Sequence, residues 1–160
     1  MFDDVHEIIK DFLWLGNSYA ASDKEDLKKK GIKKVLSVWD SNGPKYNDNE
    51  FIHKKIKVAD TYTFNIIKYF GECLNFIKGD EKVLVHCLAG SSRSASIVIA
   101  YIMWSEKKTF SEAFDIVKSK RFISPNEGFI EQLKMFEKLL VDNNYDLDKI
   151  NFKKIKWLLN

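Results

Sequence analysis

The chain has 160 residues, of which 45% are hydrophobic and 14% aromatic; this is enough to bury one globular core and excludes a disordered chain. Its 26 basic and 23 acidic residues give a formal net charge of +3, and because the basic residues are scattered we expect no nucleic-acid partner. No apolar run approaches the roughly 20 residues that cross a bilayer, so no membrane span is expected. Two cysteines are too few for a disulfide framework or a four-ligand zinc module.

The amino terminus has the pattern of neither a secretory signal nor an N-myristoylation site. Together with the low cysteine count, this predicts an intracellular protein that is cytoplasmic or nuclear.

Strands and helices alternate along the chain. In chain order, the patterns predict a strand at 12–15, a helix at 24–30, strands at 35–38 and 51–58, a helix at 65–77, a strand at 83–85, and helices at 95–104, 111–119 and 127–141. The β-branched run 83–85 is typical of a buried central strand, and 95–104 is apolar nearly all round, as in a helix inside a core. The order predicts an α/β fold with a central, mostly parallel sheet and helices on both faces.

The segment 86–94 connects this central strand to the buried helix and reads His-Cys-Leu-Ala-Gly-Ser-Ser-Arg-Ser. Such a turn points backbone N–H groups inward and adds the positive end of a helix dipole. Five residues separate Cys87 from Arg93, enough to wrap one tetrahedral dianion that Arg93 grips with two donors. The wrapping residues are Leu88, Ala89, Gly90, Ser91 and Ser92. The same field favours the reactive thiolate of Cys87, and Ser94 offers its sulfur a hydroxyl donor, which predicts a nucleophile in a phosphate cradle.

Each of these residues also has a structural interpretation. A cysteine is more often a buried core residue than a nucleophile, and Arg93 alone reads as a surface charge. Chance placement of all these residue types at one strand-to-helix junction is improbable, so the catalytic interpretation is preferred for the loop. For His86 the structural one is preferred, as a buried histidine that holds the loop. Arg93 and Arg121 are the two arginines in a lysine-rich chain, which indicates positions that need a planar fork.

Residues 86–94 match the H-C-x-A-G-x-S-R-S signature of the dual-specificity phosphatases, within the cysteine-dependent protein tyrosine phosphatase superfamily. The resemblance covers about residues 5–140 and includes the first two predicted strands. Residues 58–60 with 65–70 are similar to the segment that bears the general acid, and 123–133 resemble the family's final helix. The resemblance implies the fold of that superfamily, a catalytic domain over 1–141 like that of its small atypical members, and a separate tail over 142–160.

The resemblance also implies roles for single residues. Cys87 matches the thiolate that forms a phosphocysteine, and Asp60 matches the general acid, although Asp60 could instead cap the helix near Thr63. Asn126 matches an asparagine that braces the phosphate loop; the alternative is that it is an ordinary helix cap. Arg121 resembles a basic position at the mouth of the site that binds a second substrate phosphate. The alternative is that it is a solvated charge at the end of a helix. The chemistry needs no metal and no cofactor.

Substrate class is inferred from what the loop lacks. Lipid phosphatases of the superfamily commonly place lysines in the loop, and this loop has none. The stretch 40–46 is short, without the aromatic wall of tyrosine-specific enzymes, which predicts a shallow pocket for phosphotyrosine and phosphoserine/threonine in a phosphoprotein, a protein kinase among the candidates. The alternatives are a phosphoprotein-binding module with weak catalysis, which the presence of Cys87, Arg93 and Asp60 disfavours, and a phosphatase of lipid or RNA phosphate.

The tail is the part that the resemblance does not explain. Asp142, Asn144 and Asp146 imitate the start of a calcium loop, but Leu147 and Lys153 stand where Gly and Glu are needed, so calcium is rejected. The segment mixes lysines with apolar residues in a basic amphipathic patch, made by Phe152, Ile155, Trp157, Leu158 and Leu159 among Lys153, Lys154 and Lys156. Such a patch can bind a partner or a membrane surface, but we favour a helix that folds back on the domain.

Overall fold

The computed structural model describes residues 3–158 and contains a five-stranded sheet. Its strands are β1 (Val5–Ile9), β2 (Leu13–Gly16), β3 (Ile32–Val38), β4 (Ile52–Ile56) and β5 (Lys82–His86), in the spatial order β1-β2-β5-β3-β4. β1 runs antiparallel to β2, and the other neighbouring pairs are parallel. The predicted mostly parallel sheet is therefore confirmed, with β5 at its centre.

Helices cover both faces of this sheet, as the sequence predicts. They are α1 (Ser18–Ser22), α2 (Lys24–Lys30), α3 (Phe70–Ile77), α4 (Arg93–Ser105), α5 (Phe110–Lys120) and α6 (Glu127–Asp142). Side chains alternate along β5, so Val83 and Val85 join the larger core with α3, α4 and α6, whereas Leu84 packs in a smaller core with Leu27 of α2. α4 is buried from Arg93 to Met103, which fixes the start of that helix inside the protein.

Strand β1 and helix α1 were not predicted, and helix α3 begins later than the sequence predicts. β1 is a partly buried edge strand without a clear apolar alternation, and α1 has five residues, too few for a helical period to show. The helix predicted over 65–77 starts as a 3₁₀ turn at Ile67–Tyr69 and becomes α-helical only at Phe70. None of these differences concerns the segment between β5 and α4.

The tail folds back on the domain, but the prediction of a helix there is wrong. It forms 3₁₀ turns at Leu147–Lys149 and Phe152–Lys154 instead. Side chains of the domain bind carbonyls of this tail: Trp104 Nε1 donates to Tyr145 O at 3.0 Å, and Asn65 Nδ2 donates to Ile155 O at 2.8 Å. The part of the patch at Leu159 lies outside the described residues.

Within residues 3–158, no helix combines the length and the apolar character needed to cross a membrane.

Candidate active site

The segment 87–92 lies at the carboxyl end of β5, where the parallel neighbours β2 and β3 also end. Cys87 is 2% exposed, and its Sγ accepts a hydrogen bond from the Gly90 N–H at 3.2 Å. Ser94 Oγ, in the first turn of α4, lies 3.0 Å from the same sulfur. The Gly90 N–H, the Ser94 hydroxyl and the amino-terminal end of a 13-residue helix thus surround Cys87 Sγ.

Gly90 is required by the shape of this loop. Its φ is +69°, in the left-handed region, and a Cβ there would come within 2.5 Å of Gly16 O. The close approach presses the loop against the end of β2, where the Ser18 N–H also donates to Leu88 O at 3.0 Å. The backbone that forms the cradle is therefore held in place by its neighbours.

The guanidinium of Arg93 is 7% exposed and is fixed along one edge. Its Nη1 donates to Asp40 Oδ1 at 2.8 Å and to Val58 O at 3.0 Å. This hydrogen bond to Arg93 is the main reason why the pKa of Asp40 is lowered from its ordinary value. The Nε of Arg93 is buried and finds no hydrogen-bond partner among the described residues, so a donor is left for an anion in the cradle.

Asp60 is tied to the phosphate loop and to the start of α6. Its Oδ1 accepts from Ser92 Oγ at 2.7 Å and from Asn126 Nδ2 at 2.9 Å. Asn126 contacts the phosphate loop and also caps α6. Its backbone N–H donates to Ser92 Oγ at 3.0 Å, and its Oδ1 accepts from the Phe129 N–H at 2.9 Å. The two donors to Asp60, Ser92 Oγ and Asn126 Nδ2, bind its Oδ1 and not its Oδ2.

His86 is fully buried behind the loop and lies in a chain of hydrogen bonds. Burial lowers its pKa to about 4, so the ring is neutral at physiological pH. Its Nδ1 then donates to Cys87 O at 3.1 Å, and its Nε2 accepts from Ser37 Oγ at 2.5 Å. Ser37 Oγ in turn lies 2.7 Å from His53 Nε2. The histidine therefore holds the backbone of Cys87 and does not face the cradle as a base.

A pH-dependent stability follows from this buried histidine. The folded-state pKa of about 4 lies below the unfolded value of 6.5, so the folded state binds fewer protons between these values, and the free energy of unfolding falls as pH drops from 6.5 to 4. We expect a loss of about 2 kcal/mol from His86 between pH 7.5 and 4.5. Urea unfolding at a series of pH values measures it. His86→Gln should make the free energy of unfolding depend less on pH. A smaller dependence should remain because burial also lowers the pKa of His53 to about 4. An unchanged pH dependence would contradict the assignment to His86.

Arg121 is buried, which contradicts its interpretation as a solvated helix-end charge. Its Nε donates to Gly90 O at 2.9 Å and its Nη2 to Ala89 O at 3.0 Å, while Nη1 contacts Asp3 O and His6 Nδ1. Four of the five guanidinium donors are thus used by the chain itself, which disfavours a contact to a second substrate phosphate. Arg121 instead braces the outer carbonyls of the phosphate loop.

Three partners of the site were not predicted as such from the sequence: Asp40, Ser37 and the carbonyl of Val58. Ser37 and Asp40 lie at and just after the end of β3, whose register pairs Ser37 with His86 of β5. Both residues lie at the carboxyl end of β3, which neighbours β5 in the parallel sheet, and this position is the signal that could have identified them. Residues 3–158 contain no group of three or more His, Cys, Asp or Glu side chains arranged to hold a metal ion.

Comparisons with known proteins agree with this geometry. The family model for the dual specificity phosphatase catalytic domain matches residues 13–139. Dual specificity protein phosphatase 1 of Arabidopsis thaliana is 42% identical over 141 residues, which cover 85% of this chain and 71% of the relative. Dual specificity protein phosphatase 19 of Mus musculus is 42% identical over 135 residues, covering 81% of this chain and 61% of the relative.

Among solved structures, the human tyrosine phosphatase-like serine/threonine/tyrosine-interacting protein is 35% identical, with a TM-score of 0.79 over 86% of this chain and 97% of that protein. The fold, the cradle and the family match converge on one conclusion: the chain belongs to the dual specificity phosphatases of the protein tyrosine phosphatase superfamily and is a phosphoric monoester hydrolase that acts as a protein phosphatase.

Proposed function

We propose that Cys87, Arg93, Ser94 and Asp60 carry the reaction, with the backbone of residues 88–92 as the phosphate cradle. The observation that supports this most is the side chain of Asp60, which is hydrogen-bonded to Ser92 of the loop that encloses Cys87 Sγ. A nucleophile and a carboxyl group on separate segments are thereby held at one anion site. This is the arrangement that cleavage of a phosphate ester with a basic leaving group needs.

In the proposed mechanism, the thiolate of Cys87 attacks phosphorus while the bond to the leaving oxygen breaks. Asp60 gives its proton to that oxygen, so the alcohol or phenol departs neutral and a phosphocysteine remains. The ionised Asp60 then takes a proton from a water molecule that attacks phosphorus, which releases inorganic phosphate and restores the thiolate. Arg93 and the loop N–H groups hold the equatorial oxygens throughout, and no step requires a metal or a cofactor.

The substrates we propose are phosphoproteins that carry phosphotyrosine or phosphoserine/threonine, a protein kinase among them. The cradle offers no lysine side chain for a second phosphate, and Leu88 on its rim is 52% exposed. Four donors of Arg121 are used by the chain, which also favours substrates with a single phosphate at the site. We place the protein in the cytoplasm or nucleus, where Cys87 and Cys73, both free thiols, stay reduced.

The test is hydrolysis of para-nitrophenyl phosphate and of matched phosphotyrosine, phosphothreonine and phosphoserine peptides by the reduced protein. Release of phosphate from the aryl ester and from both classes of peptide is expected. Binding of phosphopeptides without turnover would favour the binding-module alternative. A preference for phosphoinositides or RNA 5′-phosphates over every peptide would contradict the proposed substrate class.

The role of Arg93 predicts two effects of different size. Arg93→Lys keeps the charge but loses the planar fork, so kcat/KM for para-nitrophenyl phosphate should fall about 100-fold, or about 2.7 kcal/mol. Asp40→Asn leaves the fork but weakens the contact that orients it, so kcat/KM should fall about fivefold, equally for substrates with acidic and basic leaving groups. An Arg93→Lys enzyme within fivefold of wild type would contradict bidentate binding by Arg93.

A further inference from the structure

The tail contacts the segment that follows Asp60. The family match ends at residue 139, whereas Trp157 lies well beyond it. Trp157 Nε1 donates to Tyr62 O at 2.7 Å, and the two aromatic rings have their centroids 5.7 Å apart. Asn65 Nδ2 donates to Ile155 O at 2.8 Å. Two hydrogen bonds therefore join the tail to Tyr62 and Asn65, residues just downstream of Asp60.

The segment between Asp60 and the 3₁₀ turn at Ile67–Tyr69 is held by hydrogen bonds mainly at its Phe64 end, where the Phe64 N–H donates to Thr61 O at 3.2 Å and Gln132 Nε2 donates to Phe64 O at 2.9 Å. It contains no helix or strand, and residues 60–63 are exposed. It lies against α6, since a Cβ at Gly128 would meet Tyr62 O at 2.1 Å. Trp157 donates to the same carbonyl. The backbone at Tyr62 is thus contacted both by α6 and by the tail.

The tail has its own anchors away from this segment, so it can act as a support. Phe152 is buried, with its ring 5.9 Å from that of Phe136 in α6, and a Cβ at Gly71 of α3 would come within 2.6 Å of it. Trp104 Nε1 donates to Tyr145 O at the beginning of the tail. These contacts fix residues 145–152 against α3, α4 and α6 independently of Trp157.

We propose that Trp157 is a positioning residue for the general acid, through which the tail sets the placement of Asp60 over the phosphate loop. The inference rests on the proposed role of Asp60. Ser92 and Asn126 fix its carboxylate from the loop side, and Trp157 fixes the backbone two residues further along. Proton transfer needs the donor oxygen within hydrogen-bond reach of the leaving oxygen, so a displaced segment slows substrates that require the proton and spares those that do not.

The experiment compares two variants that each remove one indole N–H from a carbonyl while keeping an aromatic ring. In Trp157→Phe the lost bond is the one to Tyr62, and in the control Trp104→Phe it is the one to Tyr145. We measure kcat/KM for a phosphotyrosine peptide and for para-nitrophenyl phosphate, whose leaving phenol is much more acidic. This constant reports formation of the phosphocysteine, the step in which the leaving group departs, whereas both substrates share the later hydrolysis step. For Trp157→Phe we expect about a fivefold loss on the peptide and less than about twofold on the aryl ester, with a larger loss in Trp157→Ala.

Trp104→Phe should show no such difference between the two substrates, whatever it does to thermal stability. In an Asp60→Asn background, Trp157→Phe should have no further effect on the peptide, because both changes act through one proton transfer. Equal losses on both substrates, a similar pattern in Trp104→Phe, or no effect of either change at position 157 would overturn the inference. If Asp60→Asn itself shows no dependence on the leaving group, the proposed role of Asp60 has failed instead.

Discussion

Cys87→Ser should abolish turnover while the protein stays folded. A serine hydroxyl at this position is not ionised, and the groups around Cys87 Sγ, the Gly90 N–H and the Ser94 hydroxyl, offer no base to activate it. We expect kcat for para-nitrophenyl phosphate to fall at least about 1,000-fold, or about 4 kcal/mol of barrier. Circular dichroism and thermal unfolding should match those of the wild-type protein, since serine is nearly isosteric with cysteine.

The matched control is the other cysteine of the chain. Cys73 is buried in α3 within the main core, where burial raises the pKa of its thiol, so it is unreactive. Cys73→Ala should lose stability from a small cavity but keep kcat within about twofold. Mass spectrometry of rapidly quenched reactions should find a phosphorylated peptide containing Cys87 in the wild-type protein and none in Cys87→Ser. A Cys87→Ser variant that keeps a tenth of wild-type kcat would refute covalent catalysis by this residue.

The phosphate loop could be read from the sequence because its parts are local. Cys87, Gly90, Arg93 and Ser94 lie within one strand-to-helix turn, and the geometry of that turn follows from the two elements that flank it. The strand is recognisable from its β-branched residues and the helix from its apolar surface all round. Asp60 is distant along the chain, and only the family resemblance singled it out from a helix cap.

Contacts that depend on packing between distant segments could not be derived in this way. Asp40 meets Arg93 because β3 and β5 are neighbours in the sheet, and no local pattern states which strands pair. Arg121 was placed at the mouth of the site, but its donors bind the carbonyls of Ala89 and Gly90. The tail was expected to be helical from its amphipathic composition. Its carbonyls are instead satisfied by Asn65 and Trp104, residues whose partners the sequence does not show.

Asp60→Asn should distinguish Asp60 from the other carboxylates as the proton donor, because its effect on the rate should depend on the basicity of the leaving group. General acid catalysis contributes most when the departing oxygen is strongly basic, so kcat/KM for a phosphotyrosine peptide should fall about 1,000-fold. For para-nitrophenyl phosphate the loss should stay about tenfold, because its phenolate leaves with little help. The asparagine can still accept from Ser92 and Asn126 through its side-chain oxygen, so the loop should keep its position.

The pH profile of kcat/KM provides a second readout of the same proton. In the wild-type protein kcat/KM on the peptide should fall as pH rises and the acid loses its proton, and this basic limb should be absent in Asp60→Asn. Asp48→Asn, in an exposed loop, is the control and should change neither the leaving-group dependence nor the profile. Equal slowing of both substrates by Asp60→Asn, or the differential effect appearing in Asp48→Asn, would mean that the proton comes from another residue. Because Asp60 Oδ1 already accepts from Ser92 and Asn126, we expect the transferred proton to be carried by Oδ2, the oxygen to which neither of these residues donates.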